Sequence, residues 1–167
     1  LLFTKLDSVD ELREKFGSKS ERLDLRAARI TKVDKHPDAD KLYIEELDMG
    51  ELGKRTIVSG LKDYYEPEEL LGKTIVVIAN LKPAKLRGVK SGGMLWAAES
   101  GKEVEVIETD KQPGEQVTLQ GVQSRPAKEL TIDDIMALRM EVKNHKATVE
   151  GKALSTKNTS FGQAKIR

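Results

Sequence analysis

The chain of 167 residues has no cysteine, and that excludes disulfide frameworks, thiolate zinc sites and thiol nucleophiles together. Aromatic residues make up only 4%; Tyr64 and Tyr65 beside "EPEEL" are read as stapling a helix end and the single tryptophan, Trp96, as core or barrel wall, with stacking on a base the lesser reading of each. No apolar run reaches the length of a membrane-spanning helix, and no membrane association is expected. Histidine is nearly absent too, at two residues, which leaves "HPDAD" (His36, Asp38, Asp40) without the further imidazole or thiolate of a metal site, so no metal and no cofactor are expected. A hydrolytic triad lacks its frame: neither Ser59 in "VSGL" nor Ser91 sits in a nucleophile elbow, and Gly88, Gly92 and Gly93 are not followed by the Gly-Lys-Ser/Thr of a phosphate loop. No catalytic residue is assigned.

The most informative absence is of one charge sign. Formal net charge is only +1, yet no Asp or Glu occurs between Glu69 and Glu99, an interval holding Lys73, Lys82, Lys85, Arg87 and Lys90. A near-neutral protein with one acid-free basic segment meets an anionic partner through a local patch. Within "NLKPAKLRGVKSGG" the cations alternate with Leu81, Pro83, Ala84, Leu86 and Val89, a pattern of an ordered segment with charged heads outward and stems packed. Asn80 and Ser91 add short polar groups of the kind used on phosphates and sugar hydroxyls.

The remaining pattern predicts mainly β structure. "DSVDELREKF" reads as a short amphipathic helix, with Val9, Leu12 and Phe16 on one face. A strand with a phase slip, as at a bulge, is expected over 23–33, and "HPDAD" is a turn. Strands follow at "KLYIEELDM", "RTIVSGL", "KTIVVIANL" and "KEVEVIET", with a helical turn at "YYEPEELLG" bounded by Pro67 and Gly72. Short strands broken by Gly and Pro predict a small closed β-barrel. Past "QPGEQVTL" the pattern changes to a helix from about Thr131 and short strand-like ends. Some 45 residues are too few to fold alone, so this part is expected to dock on the barrel.

"LDLRAARI", "KHPDADKLYIEELDMG", "RTIVSGL" and "NLKPAKLRGVKSGGM", in that order, resemble the tRNA-binding domain of the endothelial monocyte-activating polypeptide II type. The resemblance implies an oligonucleotide-binding (OB) barrel over 21–121, preceded by an N-terminal helix and linker at 1–20. It extends more weakly through "KEL", "ATVEGKAL" and "SFGQAKIR" to a docked C-terminal α+β module at 122–167 that mimics a dimer partner, which implies a monomer. The family's tRNA contacts fall here on Asn80, Lys82, Lys85, Arg87, Ser91 and Met94, with Lys41 facing the same groove; Lys90 and Arg55 are added from charge. "TIDD" replaces the lysine-rich stretch that some members carry after "KEL", so the C-terminal module is expected to add little RNA affinity. The opening "LLFTKLDSVDELREKF" is similar to the linker before the C-terminal appendix of methionyl-tRNA synthetases, and the chain reads as a piece of a longer cytoplasmic protein. The implied function is non-catalytic, largely sequence-independent tRNA binding that raises tRNA capture for a synthetase. The alternative is a module that docks another synthetase or a scaffold.

Overall fold

The computed structural model describes residues 19–167; the helix expected at 7–16 lies outside the described residues. Strand β1 (Leu25–Lys35) is the axis of the first sheet, pairing antiparallel with β2 (Tyr43–Asp48) on one side and β4 (Thr74–Ile78) on the other. Its register against β2 slips between Ile30 and Lys32, the bulge that the broken alternation of 23–33 predicts. β3 (Lys54–Ser59) and β7 (Met94–Leu95) complete the order β3-β2-β1-β4-β7. A single helical turn, α1 (Pro67–Leu70), starts with proline at its first position and a capping box in which Glu69 accepts from the Glu66 amide at 2.8 Å.

The apolar run of "TIVVI" has a specific cause. Ile75 and Val77 enter one core with Ile30, Tyr43, Leu47 and Ile57, inside the curl of the sheet, while Val76 and Ile78 enter a second core on its other side. A strand covered on both faces cannot alternate in polarity. β1 does the same, sending Ala27 to the second core and Ala28 to the first.

That second core joins the barrel wall to the C-terminal residues. Leu25, Ala27, Val76, Trp96 and Ala98 pack with Leu130, Ile135, Val142, Val149 and Ile166. Helix α2 (Ile132–Met136) is capped reciprocally by Thr131 and Asp134. β10 (Met140–Lys143), β11 (Lys146–Val149) and β12 (Lys152–Ala153) then form a meander, and β13 (Gln163–Ile166) returns to pair with β10 on one side and with β8 (Ala97–Ser100) on the other, which in turn pairs with β9 (Glu103–Val106). The sheet order is β12-β11-β10-β13-β8-β9, so one sheet runs from the barrel into the C-terminal residues without a break.

On β2 the alternation Tyr43, Glu45, Leu47 faces inward and buries a carboxyl completely, at 0% exposure. Desolvation pushes Glu45 up to about 8, against the opposing pull of the Ser59 hydroxyl. Ser59 Oγ lies 2.7 Å from Oε1 and 2.8 Å from Oε2. Both contacts suit a protonated carboxyl, which accepts from the hydroxyl with one oxygen and donates to it with the other, and burial favours that neutral form of Glu45.

Candidate nucleic-acid interface

The basic segment folds as a two-stranded hairpin, β5 (Ala84–Leu86) and β6 (Val89–Ser91). Arg87 (φ 54°) and Gly88 (φ 87°) form its two-residue turn with both backbones left-handed, the geometry that matches the twist of paired strands. Register places Ala84 opposite Ser91, Lys85 opposite Lys90 and Leu86 opposite Val89. Alternation then sorts the side chains: Lys85 and Lys90 share one face, and Ala84, Leu86, Val89 and Ser91 the other. Like charges directly opposite one another destabilise a hairpin unless an anion neutralises them. Lys82, Lys85, Arg87 and Lys90 are all exposed and form no ion pair among the described residues.

Two buried side chains fix this hairpin to the barrel. Ser91, only 5% exposed, accepts from the Val58 amide at 3.0 Å and donates to the Gly93 carbonyl at 3.0 Å, which staples β6 to β3. His36, 6% exposed, accepts from the Asp38 amide through Nδ1 at 3.0 Å, so Nε2 carries the hydrogen and donates to the Leu86 carbonyl at 3.0 Å. Both ring nitrogens are thus committed to the backbone, and the imidazole anchors the hairpin tip to the turn at 36–42. Lys41 stands exposed on that same turn.

On the Lys90 face a groove of about 570 Å³ opens, lined by Lys54, Arg55, Thr56, Asn80, Lys90 and Lys128, with Glu129 as its acidic member. Arg55 is held by Nη1, which donates to the Ala79 carbonyl at 2.6 Å and to that of Gly92 at 3.4 Å, leaving the rest of its fork for a ligand. Lys128 is positioned because Leu130 donates to the Asn80 carbonyl at 2.8 Å and Lys82 donates to the Leu130 carbonyl at 2.7 Å. Asn80 is the hub of this region: its amide donates to the Arg22 and Ala127 carbonyls, each at 2.9 Å, and its oxygen accepts from the Asp24 amide at 3.1 Å.

The sequence-predicted residues accordingly divide. Arg55, Asn80 and Lys90 line the basic groove; Lys85 and Arg87 are exposed on the hairpin and Lys41 on the turn that His36 ties to its tip; Lys82, Ser91 and Met94 line an apolar cavity on the far side of the hairpin. Ser91 and Asn80 spend their polar atoms inside the protein, and Met94 is half buried against Ile78. Lys54, Thr56 and Lys128 were missed by sequence reasoning. Lys54 adjoins Arg55 in "GKRT", a signal that could have been used, but the approach of Lys128 depends on tertiary contacts. Trp96 is fully buried within the second core.

A family model described as "Putative tRNA binding domain" matches residues 25–116. The chain belongs to the tRNA-binding domain family. Methionine–tRNA ligase of Pyrococcus horikoshii is 54% identical over 91 residues, 54% of this chain but 12% of the ligase. The aminoacyl tRNA synthase complex-interacting multifunctional protein 1 of Cricetulus griseus is 43% identical over 111 residues, 65% of this chain and 31% of that protein. The chain thus corresponds to a small, tRNA-binding part of longer relatives and not to the catalytic part of a ligase. Among solved structures, the C-terminal domain of Plasmodium vivax p43 superposes with a TM-score of 0.81 at 30% identity, covering 88% of this chain and 98% of that one. A MetRS related protein of Pyrococcus horikoshii matches with a TM-score of 0.53 at 33% identity but covers only 65% of this chain. A fold match extending over most of the chain, C-terminal residues included, is shared with the p43 domain. The tRNA-binding domain is mainly β and OB-like, and no described helix is long and apolar enough to cross a membrane.

Proposed function

We propose that this tRNA-binding domain holds tRNA by its phosphate backbone, without reading bases, as a cytoplasmic appendix that raises tRNA capture by a synthetase. The observation that carries the reading is the facing pair Lys85 and Lys90, which form no ion pair among the described residues, with Lys90 lining the groove of Lys54, Arg55 and Lys128. Lysine heads on a fixed hairpin neutralise phosphates as point charges, and little on this surface matches the donor and acceptor pattern of a base edge. Affinity should then be set by counterion release and be nearly uniform among tRNAs. The parent protein is of the methionine–tRNA ligase kind. The domain is monomeric, because the C-terminal residues already cover the outer apolar wall of the barrel.

The test is a titration of tRNA by fluorescence anisotropy across salt concentrations. Each of Lys85→Ala and Arg87→Ala should flatten the slope of log affinity against log salt by about one. Lys143→Ala and Lys152→Ala should leave it nearly unchanged. An unchanged slope in the Lys85→Ala, Arg87→Ala double variant, with the fold intact, overturns the reading. The alternative, docking of another synthetase or a scaffold, is favoured by the name of the Cricetulus griseus relative and predicts that outcome.

A further inference from the structure

The other face of the hairpin closes over a second space, a cavity of about 560 Å³ between β5–β6, the end of β3 and the start of α2. Its walls include Leu61, Leu81, Pro83, Met94, Leu95 and Ala97, and its mouth carries Leu86 and Ile132, which are 41% and 50% exposed. The neutral polar side chains that line it have partners already. Ser59 is bonded to Glu45, Ser91 lies between Val58 and Gly93, and Thr131 is engaged with Asp134 in the cap of α2. No carboxylate among the described residues lines the cavity. Two cations do. Lys82 has no ion pair among the described residues, and Arg167 makes a long contact of 3.7 Å to Glu99 while its guanidinium lies 5.4 Å from the Tyr64 ring, so part of its donor fork stays available.

An apolar space of ligand size whose uncommitted polar atoms are cationic selects a narrow chemistry. A nucleobase would bring edge donors that find no free side-chain acceptor among the described lining residues, and their desolvation would go uncompensated. Amines and zwitterionic amino acids would set an ammonium against Lys82 and Arg167. We propose that this cavity binds a free organic anion with an aliphatic body, its carboxylate at Lys82 and Arg167 and its chain among Leu81, Met94 and Leu95. This site is separate from the tRNA groove and stands whether or not that reading does.

The experiment titrates the full chain with decanoate, octanoate and hexanoate, following the Met94, Leu86 and Ile132 methyl resonances, with calorimetry for stoichiometry. One-to-one saturation with shifts confined to those methyls is expected, and each methylene removed should weaken binding about fourfold. Decanol should bind more weakly than decanoate, and Lys82→Gln should narrow that difference. Ala84→Trp places a large side chain at the mouth from an exposed hairpin position and should abolish the shifts while the circular dichroism spectrum is retained. Lack of saturation, shifts elsewhere, or equal affinity for the three acids would overturn the proposal, as would a Met94 shift produced by phosphatidylglycerol vesicles and not by decanoate.

Discussion

Replacing Glu45 by glutamine should remove most of the decline in stability with rising pH in this domain. The carboxyl is raised from 4.5 to about 8 by burial, so in the window between those values the folded state binds a proton that the unfolded state releases. Stability contributed by that proton is fully present below about pH 4.5 and is lost as pH rises towards 8. The loss proceeds at about 1.4 kcal/mol per pH unit, or about 3 kcal/mol between pH 5 and pH 7.5. Glutamine keeps the shape and a hydrogen-bonding partner for Ser59 but has nothing to titrate. Urea unfolding of both proteins at half-unit steps from pH 5 to 7.5 gives the difference directly, because groups common to both cancel. The wild type should also release close to one more proton on unfolding near pH 6.5 than Glu45→Gln does. If the two stability curves run parallel, the carboxyl is ionised in the fold, and the reading of its two short contacts to Ser59 is wrong.

Asn80→Ala removes all three side-chain hydrogen bonds joining residues 22–24, 80 and 127, and should cost about 2–4 kcal/mol in urea unfolding; a loss of tRNA affinity without loss of stability would contradict its structural role. His36→Ala frees the Leu86 carbonyl and the Asp38 amide, so amide hydrogen exchange should quicken at 84–91 while β1 and β4 stay protected; uniform exchange across the domain would refute a local anchor. Truncation after Leu119 uncovers Ala27, Val76, Trp96 and Ala98, and should give a dimer or an aggregate by light scattering; a clean soluble monomer would undermine the covering role of the C-terminal residues.

Sequence pattern reached the strands best where burial is simple. "KEVEVIET" alternates and forms β9, and the slip in 23–33 became the β1 bulge. Thr131 was placed at the head of a helix and caps α2. Glu45 could have been found, since it occupies the inward phase between Tyr43 and Leu47, but the strand was read without singling it out. Polar residues beside a charge cluster are the hardest to read. Asn80 and Ser91 have the chemistry of RNA donors, yet their polar atoms bind backbone, and nothing local separates these uses. His36 is the same lesson reversed, a turn residue whose ring anchors a hairpin fifty positions away. The groove gathers Lys54, Lys90 and Lys128 from three distant segments, and the pairing of β13 with β8 is non-local, so neither could be read from spacing.

That pairing also sets an order of events during synthesis. β8 finds β9 at once, but its other edge waits until β13 has been made, several seconds later at ordinary elongation rates. During that interval a hydrogen-bonding edge and an apolar wall are both open in the nascent barrel. Non-local closure of this kind is also intrinsically slow once the whole chain is available. The most vulnerable interval for this domain is therefore the one before β13 emerges. A substitution that weakens β13 should show first as lost yield of soluble protein, before it shows in tRNA binding by the molecules that fold.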